Sequence, residues 1–256
     1  MFRKIEPILL PVLCAIFLIA AWHYGVLWSG TVVLPAPYKV WTGALELWNS
    51  GKLPSYIADS LIRVGSGYLL AVLVGVPVGL LVGWYRNLEI AVNPVIQLLR
   101  PISPLAWIPL AIIFFGIGNG ATVFLIFLAS FFPIVVAAAT GVKTVPEMYI
   151  RAGRNFGLST WGLFRRIVLP AALPSMLTGL RISFGVAWLV VVAAEMIAVN
   201  SGLGYLIIDS RNAGKRYDLV IAGMLIIGLL GLAIDILARR TERLRPVRWG
   251  FRNLGV

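Results

Sequence analysis

Apolar residues run in long unbroken stretches, and the polar interruptions between them set the architecture. Six stretches can cross a bilayer, at about 8–28, 59–84, 94–116, 119–142, 174–199 and 218–238, because about 20 apolar residues in helical conformation span the hydrocarbon. The pattern predicts an all-α membrane protein of about six transmembrane helices. The second stretch carries Gly67, Ala71, Gly75, Gly79 and Gly83 at four-residue spacing. On a helix these form one ridge that lets a neighbour approach closely, either in a mobile core or in ordinary membrane packing. The third stretch holds Pro94, Pro101, Pro104 and Pro109, so it is not one regular helix. Broken backbone at membrane depth is tolerated inside protein or along a watery cavity, which predicts that this span faces a bundle interior.

The polar segments divide the chain further. Residues 1–33 read as an N-terminal span, 34–58 as a linker, 59–240 as the main membrane domain and 241–256 as a basic tail. Within the linker, Val40 to Trp48 reads as a short amphipathic helix whose Trp41 and Trp48 suit a membrane interface. The first apolar run is too long for a signal-peptide core. Pro11-Val12-Leu13 before Cys14 also lacks the small residues of a lipoprotein cleavage site, so a retained span is expected.

Charge orients this plan. Fourteen of the 22 lysines and arginines fall at the termini, at Arg86 and in the 143–173 segment, against five (Lys39, Lys52, Arg211, Lys215, Arg216) on the other side. The positive-inside rule therefore places both termini and the 143–173 segment in the cytoplasm. Charged residues make up only 12% of the chain, about half the share of a soluble domain. With a mean hydropathy of +0.93, the pI near 10.4 does not describe a nucleic-acid binder.

Several chemistries find no residues. Gly51-Lys52 and Gly214-Lys215 are followed by Leu53 and Arg216, so neither makes a phosphate-binding Walker loop. His23 and Cys14 are the only His and Cys, which leaves no His/Cys metal site. No nucleophile accompanies the intramembrane acids Glu195 and Asp235, so no catalytic residue is assigned.

The 143–173 segment is the unusual one, reading KTVPEMYIRAGRNFGLSTWGLFRRIVLP over 143–170. Thr144 with Glu147 has capping-box spacing, and Pro146 suits a first helical turn, predicting a helix from Val145 to Asn155. Gly157 is placed to end it. Ser159 can cap a second helix from Thr160 to Val168, which Leu169-Pro170 is expected to close. Such a compact, basic, partly aromatic projection fits two roles equally: an interfacial loop on lipid headgroups, or a dock for a soluble cytoplasmic partner.

This segment resembles the EAA motif of bacterial ABC importer permeases, E-A-A, three residues, Gly, nine residues, then I-x-L-P. Here the positions are Arg151-Ala152-Gly153, Gly157 and Ile167-Val168-Leu169-Pro170, with both spacings kept. Arg151 replaces the acidic residue and Gly153 an alanine. RPISPLAWIPLAIIFFGIG at 100–118, TGLRISFGVAWLVVVAAEMIA at 178–198 and NSGLGYLI at 200–207 resemble the nitrate/sulfonate/taurine branch of these permeases. Riboflavin and thiamine-precursor permeases share much of the same wording.

The resemblance implies a multi-pass subunit of the bacterial inner membrane that moves a small oxyanion or sulfonate by alternating access. A second copy of the chain, two ATPase subunits below and a periplasmic solute-binding protein above would complete the assembly. No cofactor is implied in this chain, because ATP and magnesium belong to the ATPase. The coupling residues would be Arg151, Ala152, Gly153, Arg154, Phe156, Gly157, Leu158, Ser159, Ile167, Leu169 and Pro170. A permease for another small solute, such as a vitamin precursor, is the alternative within the family. A secondary transporter without an ATPase, or a membrane enzyme, are the alternatives outside it.

Ionisable groups inside spans are costly and mark function by default. Arg100, beside the proline breaks and Ser103, can lend positive potential to an anion path or snorkel to headgroups. Glu195 should pair with a cation or hydroxyl and suits a gate or packing role. Arg181 reads as snorkelling, and Asp235 as pairing with Arg239 four residues on.

Overall fold

The computed structural model describes residues 6–30, 33–212 and 214–241. Arg3, Lys4 and the basic tail beyond Thr241 lie outside the described residues. Every regular element among the described residues is helical. The order is α1 (Glu6–Ser29), α2 (Pro37–Asn49), α3 (Lys52–Trp84), α4 (Arg86–Leu99), a 3₁₀ turn (Pro104–Trp107), α5 (Ile108–Phe115) and α6 (Asn119–Lys143). Then come α7 (Glu147–Asn155), α8 (Thr160–Leu163), a π-helical turn (Phe164–Val168), α9 (Leu169–Ala198), α10 (Leu203–Asn212) and α11 (Tyr217–Thr241).

Helix α6 is the axis of the bundle, flanked by α3 and α9. The small-residue ridge of α3 lies against it. A Cβ at Gly67 would stand 2.7 Å from Ile126 Cβ, and one at Gly79 only 2.5 Å from the Val135 carbonyl oxygen. In hydrocarbon no water is released by bringing helices together, so such close backbone approach carries the association. The facing pairs advance together, Gly67 beside Ile126 and Gly83 beside Ala139, so α3 and α6 run parallel. Helix α9 runs antiparallel to α6: Gly141 meets Ala172 and Met176, and Gly179 meets Ala137.

That parallel pairing settles the third span. Residues 85–118 must return across the full bundle, and they do so as two helical pieces bent by 85° between Leu99 and Pro104. The Glu89–Lys143 ion pair ties the start of α4 to the end of α6, while Phe115 lies against Phe124 near the start of α6. Among the described residues five helical segments are individually long and apolar enough to cross, or six with the bent pair taken as one span. The proline-based expectation of a break therefore holds, with Pro101 and Pro104 at the elbow. The expectation of an interior position is not met within one chain: Ile96 and Ala111 are the buried residues of α4 and α5.

Other boundaries shift. Helix α3 begins at Lys52 rather than at residue 59, so the linker is shorter than the hydropathy pattern suggests. Pro170 does not close the second projection helix. The helix continues through the π turn, and Thr160–Ala198 forms one 39-residue rod. Proline lacks an N–H and its ring crowds the carbonyl four residues back; a π turn, whose hydrogen bonds span five residues, accommodates that defect without a stop. The segment after Asn200 contains the ordered helix α10.

Helix α2 lies across the end opposite the 144–170 segment, burying Val40, Gly43 and Leu47 and exposing Trp41 and Trp48. Gly43 seats it against Leu219 at the start of α11. Arg216 fastens the same junction, with Nη2 at 2.6 Å from Glu46 Oε2 and 2.8 Å from Asp218 Oδ2. The hydrogen bond and charge of Arg216 hold the Glu46 carboxyl below the ordinary carboxylate range. A depressed carboxylate contributes stability above its unfolded pKa and loses it as pH falls through the folded one. Amide exchange in α2 should accordingly accelerate on acidification below the ordinary carboxylate range. A Glu46→Gln variant should show the faster exchange already at neutral pH and little further change on acidification.

Candidate functional site

The projection at one end of the bundle is built from α7, α8 and the π turn. Its entry differs from the capping-box expectation. Thr144 stays with the last turn of α6 and donates its hydroxyl to the Gly141 carbonyl at 2.9 Å. Pro146 occupies the N-cap position of α7 without a side-chain cap, and Glu147 instead accepts from Arg151 at 2.9 Å. That pair is exposed on both sides, so it contributes little to stability. It does show where the reversed charge at Arg151 is accommodated: within the helix itself.

The exit of α7 follows the sequence. Gly157 has φ +76°, a left-handed conformation that costs glycine nothing. Gly157 N–H donates to the Arg154 carbonyl at 2.9 Å and Leu158 N–H to the Gly153 carbonyl at 3.1 Å, the paired bonds of a Schellman motif. Ser159 then caps α8, its Oγ accepting from Gly162 N at 3.2 Å. Gly153 is where the two arms touch: a Cβ there would stand 2.5 Å from Ile167 Cδ1 and 3.0 Å from Leu163 Cδ1. Alanine, which the EAA pattern carries at this position, would require the Ile167 tip to move.

The result is a stiff knob rather than a loose loop. Leu163 and Val168 are buried beneath it with Val142, Ala172 and Met176, and Leu158 and Ile167 are half-buried. Arg151, Ala152, Arg154, Gly157, Ser159 and Pro170 are exposed, and Leu169 is half-buried. Phe156 is 87% exposed and Trp161 69% exposed. A shallow depression of about 490 Å³, floored by Gly153, Leu158 and Ile167 and edged by Phe156 and Pro170, opens on one side. Another of about 710 Å³ lies between Leu158, Trp161, Arg165 and Arg166.

The remaining sequence-predicted residues are not brought together. Arg100 and Ser103 flank the elbow between α4 and α5, exposed in the single chain and without a side-chain hydrogen bond among the described residues. Glu195 is fully buried near the end of α9 that lies opposite the projection. Its carboxylate receives Arg63 Nη1 at 2.7 Å and Gly204 N–H at 3.0 Å, and Ser60 Oγ lies 2.8 Å from both oxygens. The expected cation and hydroxyl are both present.

Arg63 itself is only 5% exposed and was readable from sequence only as a charge within a span. Its Nε donates to Asn119 Oδ1 at 2.8 Å, Nη1 also to the Ser201 carbonyl at 2.9 Å, and Nη2 to Ser201 Oγ at 2.5 Å. Gly202, at φ +103°, lets the 199–203 turn lie against this pair, since a Cβ there would be 2.4 Å from Glu195 Cδ. The signals for Arg63 were its helical spacing from Ser60 and the requirement that a buried Glu195 find a cation. Nearer the projection, Asp235 takes Arg239 as expected and also Arg181, each at 2.9 Å, which pins α11 to α9 and replaces the snorkelling expected of Arg181.

Comparison with known proteins places this architecture. The fold matches a structure titled as an inward-facing conformation of the MetNI methionine ABC transporter, with a TM-score of 0.66 over 75% of this chain and 94% of that one, at 18% identity. The Escherichia coli taurine transport system permease protein is 37% identical over 217 residues, 82% of this chain and 78% of its own. A Synechococcus elongatus nitrate import permease protein is 35% identical, covering 94% of this chain and 91% of that one. The bicarbonate transport system permease protein of the same organism is 33% identical, covering 98% and 92%. Residues 75–245 match the model for binding-protein-dependent transport system inner membrane components. The chain therefore belongs to that family, as a multi-pass inner-membrane ABC transporter permease of the nitrate, sulfonate and taurine branch.

Proposed function

We propose that this chain is the membrane-spanning half of an ATP-driven importer for a small oxyanion or sulfonate. It works as a homodimer with two ATPase subunits on the cytoplasmic face and a periplasmic solute-binding protein outside. The substrate class rests on relatives named for taurine, nitrate and bicarbonate transport. The positive-inside bias supports a cytoplasmic projection and cytoplasmic termini.

One observation carries the reading: a rigidly capped knob presents Phe156 and Trp161 to the outside, Phe156 at the edge of a mostly apolar depression and Trp161 beside Arg165 and Arg166. Aromatic anchors on a preorganised element are what a protein partner grips. In this reading the groove of the ATPase takes the knob, and closure of the nucleotide-bound ATPases pulls on it. Because α8, the π turn and α9 form one continuous rod, that displacement passes into the membrane rather than dissipating in a hinge. ATP and magnesium act on the ATPase subunit and need no residue here.

Arg100 and Ser103, at the elbow of the broken span, supply positive potential and a hydroxyl along the anion path. Glu195 serves as a gate or packing element rather than a substrate ligand, since its charge would repel an anion.

Co-expression with the ATPase subunit tests this. The wild-type permease should retain the ATPase through purification. Gly157→Val should lose it while keeping its fold, because a β-branched residue at positive φ costs about 1–3 kcal/mol locally and displaces Phe156 and Leu158. Retention of the ATPase at wild-type ratio by that variant would contradict the docking assignment.

A further inference from the structure

The buried cluster around Glu195 has a role that the coupling knob does not explain. One alternative is an anion-binding site, since Arg63 is a buried cation among hydroxyl and amide donors. Its guanidinium is already engaged on all three nitrogens, by Asn119, Glu195 and Ser201. Four of its five N–H donors are already given to protein acceptors, so an entering anion would find a single N–H on Nη2 and no bidentate edge. The cluster is a joint between elements, and its connections show which ones.

Helix α10 has no cap of its own. Its first two N–H groups are satisfied from other helices: Leu203 N–H donates to Ser60 Oγ of α3 at 2.9 Å, and Gly204 N–H to Glu195 Oε2 of α9 at 3.0 Å. Helix ends leave such donors to be satisfied externally, and here the partners are the carboxylate and hydroxyl of the joint. Farther along, the Ser210 carbonyl of α10 accepts from Arg216 N–H at 3.0 Å, and the Arg216 side chain holds Glu46 of α2. Hydrogen bonds thus run unbroken from the end of α9, through α10, to α2 on the rim opposite the knob. The rod that ends at this joint starts in the knob and is 39 residues long, or about 58 Å at the helical rise.

We infer that Ser60, Arg63 and Glu195 are positioning residues for the transport step, fastening the far end of the α9 rod to α3 and to α10. Movement of the knob is thereby delivered to the α10–α2 rim as rigid-body displacement, and a ligand pressing on that rim is felt at the knob. This inference rests on the importer reading above. The rigidity has a structural basis: the joint is buried, all its polar groups are paired, and Gly202 and Gly204 admit no side chain between the turn and the rod. Removing the Ser60 hydroxyl leaves the ion pair and the helix packing in place but frees the first turn of α10.

The test uses the complete transporter in proteoliposomes, with permease, ATPase and solute-binding protein, comparing wild type with Ser60→Ala and Arg63→Lys. Both variants should assemble with the ATPase and hydrolyse ATP at the wild-type basal rate. Stimulation of hydrolysis by the binding protein, and uptake with it, should fall by about tenfold, within the range for coupling mutations. Amide exchange at Leu203 and Gly204 should accelerate in the same variants. Uptake and stimulation within about twofold of wild type would overturn the inference. So would failure of Ser60→Ala to assemble, which would make the cluster a folding element alone. If the wild-type permease itself retains no ATPase, the importer reading fails instead, and the two outcomes are separate.

Discussion

Arg63→Met should destabilise the permease by about 3–5 kcal/mol, the range seen when one member of a buried ion pair is removed. Glu195 is fully enclosed, so without the guanidinium its carboxylate would retain only Ser60 and the Gly204 N–H. Two neutral donors do not offset the desolvation of a full charge. Adding Glu195→Gln to the same chain should recover the larger part of the loss, since the amide oxygen still accepts from Ser60 and Gly204 and no charge remains stranded. Thermal unfolding in detergent of the two single variants and the double variant gives the cycle directly. Equal destabilisation in the single and double variants would show that packing volume, not charge compensation, holds this region.

The second large effect is expected at the α3–α6 contact. Gly79→Leu should cost at least about 1–3 kcal/mol, the usual penalty for overpacking. Even the first added carbon would meet the Val135 carbonyl at 2.5 Å and Ala138 Cβ at 2.6 Å. One of these is backbone, so no rotamer change relieves the clash and the helices must separate along the ridge. Gly65, on the same helix, has nothing within 4 Å of a built Cβ, so Gly65→Leu serves as the control. Comparable melting of the two variants would remove the ridge from the account.

The contrast between those glycines shows how far the sequence could be read. Spacing at four residues identified the ridge, because helical periodicity puts Gly67, Gly75, Gly79 and Gly83 on one line. Gly65 falls outside that spacing. The knob was equally legible: Gly157 and Ser159 act locally, through backbone conformation and a cap, and local chemistry survives into the fold. Pro170 misled for the complementary reason. Leu-Pro is a stop when a helix end is free, but here the buried Val168 and Ala172 anchor the rod on both sides, and a π turn costs less than leaving that packing. Thr144 likewise forms its bond with the helix behind it, because α6 was already there to accept it.

The joint was legible only in half. Glu195 stood out as an isolated acid in an apolar run and demanded a partner. Arg63 did not stand out, because it lies near a span end, where snorkelling is an adequate reading until the antiparallel packing of α9 is known. Its partners come from positions 119, 195 and 201, and no single-sequence periodicity connects residues so far apart. The elbow falls between the cases: four prolines announced a break, yet which side of it faces protein depends on what covers α4 and α5 in the assembly.

The claim that a cytoplasmic ATPase grips the knob is tested most directly by placing a photo-crosslinking amino acid at Phe156 in the membrane-embedded transporter and identifying the adduct by mass spectrometry. The account predicts a crosslink to the ATPase subunit, at a yield that changes when ATP is bound. Adducts confined to lipid, with the ATPase present and uncrosslinked, would contradict it.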